Sequence, residues 1–314
     1  MAVAGLWVVT TLFGVLALST FAGVRAGFLL NIVQTLVPPA LVGALVIAGT
    51  AAVLRRWPLA AVALAVAAGL VVLVLPAVRS TTPPPRSTTP TAGLRVFSAN
   101  LRFDNADGRP IAREALASGA DVVVLQELTE AHLESIRAEG VLGAYPHTLV
   151  DARGGAFGSA ILSKLPLVAS RLDDLAGLPM TRATLEVDGR TLDLINVHTL
   201  SPMTSENFGQ RDRQLDALAD LAAGSGGRPT LMVGDFNANR WHPAFRRLLD
   251  TGLHDGHEQV GRGLARTWPN GSVAPTFALL DHVLLSRSVT AVSVREGTGR
   301  GSDHRPVVAD LRLE

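Results

Sequence analysis

The chain has 314 residues, 28 Lys and Arg, 27 Asp and Glu, and no cysteine, which excludes a disulfide scaffold and any thiolate-ligated metal site. Charged residues make up 18% of it, below the roughly 25% usual for soluble domains. All 27 acidic side chains lie beyond residue 92, with 23 of the 28 basic ones, so the near-neutral total averages an apolar amino-terminal part and an acidic remainder.

Residues 1–24, 26–54 and 57–78 carry no charged side chain, and each stretch can cross a hydrocarbon core of about 30 Å as a helix. Three transmembrane helices are expected, at 4–24, within 28–54, and at 58–78. Asn31 and Gln34 precede Pro38 and Pro39, so the second span should begin near Leu36, with the turns before it kinked or interfacial. A cleaved signal peptide is the alternative for the first segment, but a basic leader is missing and two more apolar stretches follow. Arg55 and Arg56 form the basic pair between spans; keeping that pair inside puts the amino terminus in the cytoplasm and the rest of the chain outside. Arg79 and Arg86 oppose this orientation. Residues 80–92 are rich in Pro, Ser and Thr, a composition suited to an extended tether of about 40 Å at most. The expected organisation is a membrane domain at 1–79, a linker at 80–92 and a globular domain at 93–314 held close to lipid.

Beyond residue 93 short apolar runs alternate with amphipathic segments. Strands are expected at 94–100, 121–127, 158–163, 191–198, 229–237, 281–286 and 306–313, and helices at 109–118, 130–138, 210–222 and 243–249. Several runs are apolar on both faces, as buried strands require, which makes residues 93–314 one α/β domain. Asn100, Glu127, His198, Asp235, Asn237 and Asp281 fall at strand ends, and Asp303 with His304 precedes the last strand. Loops at one sheet edge gather such groups into a cleft.

Singly, each motif is ambiguous. A carboxylate ending the run Val122-Val123-Val124-Leu125-Gln126-Glu127 is costly unless paired or metal-bound, yet Glu127 equally suits the start of a helix near Thr129. Gly234-Asp235-Phe236-Asn237 has the composition of a turn. His198 has the usual structural alternative of a lone histidine. Asp281-His282 also reads as strand-edge charge, and Ser302-Asp303-His304-Arg305-Pro306 as a turn ending at proline.

Taken in order, these motifs resemble the endonuclease/exonuclease/phosphatase superfamily, the metal-dependent fold of DNase I, apurinic endonucleases, inositol-polyphosphate phosphatases and neutral sphingomyelinases, over about residues 93–314. The resemblance implies a four-layer sandwich of two packed mixed β-sheets flanked by helices. It implies Glu127 as the main ligand of Mg²⁺, or of Mn²⁺, assisted by Asp303 and Asn100. His304 would contact the scissile phosphate and be held by Asp281. Asp235 would orient or deprotonate the attacking water, Asn237 would position it, and His198 would add a second imidazole. The acidic partner that some relatives give this histidine has no clear counterpart, and Tyr145 stands in a loop without a matching motif. Arg211 and Arg213 are candidates for binding a second substrate phosphate, with helix-surface charge as the equal alternative; the loop at Gly154 and Gly155 is another candidate.

Over the whole chain, three spans, the tether and motifs such as GDFNA, RTWP, LDHVL and SDHRPVVADL resemble the VanJ-type membrane proteins of actinomycetes associated with teicoplanin resistance. That likeness implies an extracytoplasmic site hydrolysing undecaprenyl pyrophosphate to the monophosphate. Nuclease binding needs a basic face, and an acidic domain whose single lysine is Lys164 disfavours nucleic acid against a membrane lipid phosphate. The alternatives are an extracytoplasmic nuclease or lipid phosphodiesterase, and a noncatalytic membrane-tethered binding module.

Overall fold

The computed structural model describes residues 2–80 and 92–314, so most of the expected linker falls outside the described residues. Four apolar helices come first: α1 (Ala2–Phe21), α2 (Gly27–Gln34), α3 (Val37–Val53) and α4 (Trp57–Val78). α1 and α4 are long and apolar enough to cross a membrane, whereas α2 and α3 are bent by 66° and make a third span only if counted together. By length and composition the chain thus offers two spans, or the expected three if the bent pair counts as one. Pro38 and Pro39 stand in the first turn of α3, where a missing N–H leaves no hydrogen bond unmade. The helices approach closely through small residues: Ala44, Ala48 and Ala51 of α3 and Ala60, Ala63 and Ala67 of α4 are all buried, and such residues let apolar helices pack without a hydrophobic driving force.

The remaining residues form two six-stranded sheets. In the first, β11 (Val289–Glu296), β12 (Val307–Leu313), β1 (Ala92–Asn100), β2 (Val122–Gln126), β4 (Ser159–Ser163) and β3 (His147–Asp151) lie side by side in that order. In the second the order is β5 (Leu167–Leu175), β6 (Leu178–Val187), β7 (Arg190–His198), β8 (Thr230–Asp235), β10 (Asp281–Leu285) and β9 (His254–Asp255). Each sheet holds one parallel pair at its centre, β1 with β2 and β7 with β8, amid antiparallel neighbours. The inner faces share a core that includes Val96, Val124, Leu194, Val233 and Leu311. Outside pack α5 (Arg109–Ser118), α6 (Glu130–Ala138) and α7 (Val141–Ala144) on the first sheet, and α8 (Ser205–Ala223) and α9 (Pro243–Asp250) on the second, with α10 (Gly256–Gln259) beside β11. The four-layer α/β sandwich is therefore present.

One apolar layer is interrupted on purpose. Gln126 Nε2 reaches across to Asn196 Oδ1 at 2.7 Å, and Asn196 Nδ2 donates to the carbonyls of Leu125 and Ala160. These bonds tie the carboxyl end of β2 to β7 and fix how the two sheets register, with the buried Gln126 Oε1 left without a partner among the described residues.

The domain sits on the ends of the apolar helices. Trp241 packs among Leu16, Val37, Leu70 and Val74. Arg25 pairs with Asp216 of α8 at 2.8 Å, Arg246 donates to the Thr20 carbonyl, and Gly263 N–H donates to the Ala77 carbonyl at 2.8 Å. All of these contacts involve the carboxyl ends of α1 and α4 and the amino end of α3. The Arg55-Arg56 turn, which joins α3 to α4, lies at the opposite end.

Gly234, in the last turn of β8 before Asp235, has φ near 141°, and a Cβ there would press into the Val197 carbonyl of the neighbouring strand. Backbone cannot yield as a flexible side chain can. Gly234→Ala is expected to destabilise the protein by about 3 kcal/mol, read as a lowered unfolding midpoint of the detergent-solubilised chain; an unchanged midpoint would show that the two strands can separate at no cost.

Candidate active site

The two parallel strand pairs run in register, Asn100 beside Gln126 and His198 beside Asp235. Their carboxyl ends therefore meet at one edge of the sandwich. β10 runs antiparallel to β8 and begins there, Asp281 opposite Asp235. The segment entering β12 arrives at the same edge, where Ser302 Oγ donates to the Asn100 carbonyl at 2.7 Å and accepts from His304 N–H at 3.0 Å. Strand topology alone thus gathers residues spread over two hundred positions of chain.

Asn100 is the joint. Its Nδ2 donates to Glu127 Oε1 at 2.9 Å and to Asp235 Oδ2 at 3.1 Å, while its Oδ1 accepts from the Arg102 N–H at 2.9 Å. Because the backbone N–H can only donate, the amide nitrogen must face the carboxylates. Asn100, expected to assist in holding a cation, presents its donor to the carboxylates and its oxygen to Arg102 N–H. Glu127 also accepts from Phe103 N–H at 2.9 Å and lies 3.5 Å from His198 Nε2. It holds a φ of 57°, and Asn237 a φ of 44°, a conformation uncommon outside glycine. Such strain persists only where surrounding bonds impose it, and it recurs at functional sites.

Asp235 is buried at the centre. It accepts from Asn237 N–H at 2.8 Å and Asn237 Nδ2 at 3.3 Å, with His304 Nε2 at 3.6 Å and His198 Nε2 at 4.0 Å. Burial raises its pKa to about 6 against the opposing pull of the His304 imidazolium. His304 Nδ1 donates to Asp281 Oδ2 at 2.9 Å. Burial disfavours its charge, but Asp281 and Asp235 outweigh that and lift its pKa to about 10. At neutral pH the pair is an ionised carboxylate facing an imidazolium, with the Nε2–H of His304 turned toward the cleft.

Asp303 stands half-buried at the mouth, 3.4 Å from Trp268 Nε1. Glu127, Asp235, Asp281 and Asp303 bring four carboxylates against two imidazoles, so negative charge remains even with both rings protonated. An all-oxygen set with residual negative charge suits a hard divalent cation. Asp235, Asp281 and His304 also have donor atoms mutually within 4.8 Å, but those atoms are buried and already hold one another and Asn237, leaving Glu127 and Asp303 as the pair more open to the mouth.

Of the sequence-predicted residues, Asn100, Glu127, His198, Asp235, Asn237, Asp281 and His304 converge. Arg211 does not reach the cleft: its fully buried guanidinium donates to Asp212 Oδ1 and, at 2.8 Å, to the Asn237 carbonyl, bracing the loop from behind. Arg213 lies on the exposed face of α8 and bonds Gln210. Gly154 and Gly155 are exposed in the loop before β4, beside Leu128. Tyr145 is a core residue whose hydroxyl donates to the Ala120 carbonyl at 3.1 Å. A cation missed from sequence is Arg102, two residues past Asn100, which is exposed, pairs with Asp104 at 2.6 Å and lies within the weaker field of Asp303 and Glu127; only its place directly after the Asn100 strand end hinted at it.

Removing Asp281 tests the electrostatics. Stability from the raised His304 pKa is fully present below about pH 6.5, the ordinary histidine value, and is lost as pH climbs through about 10. In chelating buffer, Asp281→Asn is therefore expected to cost about 3 kcal/mol at pH 6, a deficit that shrinks toward pH 10 in unfolding curves; a pH-independent deficit would contradict the pairing.

No curated protein matches the chain, but solved structures do. D. rerio TDP2 complexed with a single-strand DNA product is 20% identical with a TM-score of 0.59, over 70% of this chain and 98% of that one. An endonuclease/exonuclease/phosphatase from Bacteroides vulgatus is 18% identical (TM-score 0.58, 71% and 99%), and a family protein from Bacteroides thetaiotaomicron 16% identical (TM-score 0.57, 72% and 100%). At these identities the likeness is one of fold. The model of the Endonuclease/Exonuclease/phosphatase family matches residues 97–304, from β1 to the His304 imidazole. Fold, family model and convergent strand ends agree: the chain belongs to the Endonuclease/Exonuclease/phosphatase family of metal-dependent hydrolases.

Proposed function

We propose that the chain is a membrane-anchored, divalent-metal-dependent phosphohydrolase whose domain lies outside the cytoplasm. Its substrate in this reading is a lipid pyrophosphate, with undecaprenyl pyrophosphate converted to the monophosphate and a role in cell-wall carrier recycling and glycopeptide resistance of the VanJ type. The observation that carries it is that the catalytic loop itself is seated in the apolar helices. Asp235 and Asn237 are followed at once by Trp241, packed among Leu16, Val37, Leu70 and Val74, and by His242, whose Nε2 is 3.0 Å from the Asn31 carbonyl. A cleft held at that place meets phosphates at a bilayer surface. The Arg55-Arg56 turn at the far end of the helices supports an extracytoplasmic domain.

The reaction is attack of water on the terminal phosphorus with cleavage of the bridging P–O bond, releasing inorganic phosphate. Asp235, ionised above about pH 6, takes the proton of the water. The imidazolium of His304, oriented by Asp281, donates Nε2–H to a nonbridging oxygen, and His198 flanks it from the other side. Arg102, at the mouth, meets the second phosphate in place of the buried Arg211. Glu127 and Asp303 would hold a Mg²⁺ or Mn²⁺ ion, which when bound neutralises charge on the phosphoryl and leaving oxygens.

The test is phosphate release by the full chain in detergent from polyprenyl pyrophosphate, a lipid phosphodiester and DNA oligonucleotides. Release from the pyrophosphate is expected, abolished by chelation and reduced at least roughly a hundredfold by Glu127→Ala. Full activity of that variant removes the enzymatic reading. Cleavage of DNA alone keeps the chemistry and replaces the substrate.

A further inference from the structure

Between Glu258 and Asp281 the chain carries Arg262 and Arg266 and no acidic side chain. This stretch starts at the membrane helices. Gly263 N–H bonds the Ala77 carbonyl in the last turn of α4, and Gly261 lies against Val78 and Ser80. It ends at the cleft, where Trp268 Nε1 lies 3.4 Å from Asp303 Oδ2, Arg305 N–H bonds the Thr267 carbonyl at 2.9 Å, and Asp281 follows.

Between those anchors the chain makes a narrow loop on a firm base. Trp268 and Ala278 bridge as in a sheet, and the Trp268 and Phe277 rings meet edge to face at 5.7 Å. Beyond the base, residues 271–275 are all exposed, Val273 at 108% of its reference area, while Phe277 and Leu264 on the shoulders expose 45% and 39%. Arg262 pairs with Glu296. Arg266 reaches only the Thr276 carbonyl, at 3.5 Å, and makes no ion pair among the described residues.

Apolar tips beside an unpaired guanidinium suit the boundary of an anionic bilayer, where the tips enter the acyl region and the cation meets lipid phosphates. The position agrees: α4 is 22 residues of apolar helix, so its last turn marks the edge of the hydrocarbon, and the loop departs from that turn. We infer that residues 264–277 form a bilayer-contacting loop, with Val273, Phe277 and Leu264 in the acyl boundary and Arg266 among anionic headgroups, placing one wall of the cleft on the lipid surface beside α4. The inference rests on the membrane placement proposed above and is independent of which phosphate the cleft cleaves.

Because the chain has no cysteine, single labels report without background. The full-length protein, carrying an environment-sensitive fluorophore at Val273→Cys, is reconstituted in vesicles of phosphatidylglycerol and phosphatidylethanolamine with a lipid-borne quencher. Val72→Cys on the exposed face of α4 reports embedding of the helices, and Glu134→Cys on α6 reports the aqueous face. The Val273 label is expected to shift to the blue and lose at least about half its emission to the quencher, as the Val72 label does, with the Glu134 label unaffected. Quenching at Val72 without quenching at Val273 overturns the inference and leaves the membrane placement standing. Quenching at neither site overturns both.

Discussion

The candidate site depends on a single amide placed where two sheets converge. Asn100 closes the central strand of the first sheet, and its nitrogen bonds Glu127 of that sheet and Asp235 of the other. Two carboxylates within reach of one donor repel each other, and only a fixed positive edge between them, backed by His198 and His304, makes the approach tolerable. Burial adds to the strain on Asp235, whose raised pKa records how little the site favours its charge. The arrangement is therefore one that gains from a cation, and the cost of assembling it falls on the rest of the sandwich.

That cost is met by bonds that never face substrate. Arg211 holds the Asn237 carbonyl, Thr199 N–H holds the Asp235 carbonyl at 3.1 Å, and Asn237 Nδ2 holds the Thr199 carbonyl at 2.9 Å. Together they keep Asn237 at positive φ and Asp235 dehydrated. A second buried network stands behind the same loop: His282 Nδ1 bonds Asp255 at 2.6 Å and its Nε2 bonds the Ala238 carbonyl at 3.0 Å, while His257 lies between Asp255 and Glu296. Although burial opposes it, the two carboxylates raise the His257 pKa to about 9. Both nitrogens of His282 are engaged, and through the Ala238 carbonyl the network braces the segment that follows Asn237.

Strand ends were the legible part of the chemistry. A polar residue terminating an apolar run, as Glu127, His198 and Asp235 do, has few other places to go in a layered α/β domain, and the sandwich brings all three together. Strands with an apolar face on both sides were equally readable. Five strands fall outside those expected. β5 runs Ser170-Arg171-Leu172-Asp173-Asp174 along an exposed edge, β9 has two residues and β3 is only partly buried, so these carry little burial signal, while β6 and β11 mix buried apolar positions with Arg182, Glu186, Arg295 and Glu296. The burial of Arg211 was not legible because helical spacing shows which residues share a face, and it cannot show that the face beneath residue 211 is the underside of the Asp235–Asn237 loop. The orientation of Asn100 was not legible because an amide offers oxygen and nitrogen alike, and only the Arg102 N–H decides between them.

The break between α2 and α3 lies against the same loop. Asn31, Gln34 and Thr35 read in the sequence as polar flaws in an apolar stretch, and their burial would be costly in lipid. In the fold Gln34 donates to the Val24 carbonyl at 3.3 Å, while the Asn31 carbonyl and Thr35 hydroxyl face the domain. His242 is held neutral by burial; its Nδ1 accepts from Asn239 N–H at 3.0 Å, so the ring proton must sit on Nε2, which reaches the Asn31 carbonyl at 3.0 Å and Thr35 Oγ1 at 3.1 Å. The Asn31 carbonyl also accepts Thr35 N–H at 3.4 Å, so the imidazole proton takes its second lone pair. The chain bends by 66° between α2 and α3, directly after these residues. An imidazole five residues past Asn237 thus hydrogen-bonds to the apolar helices, which makes them part of the support of the Asp235–Asn237 loop.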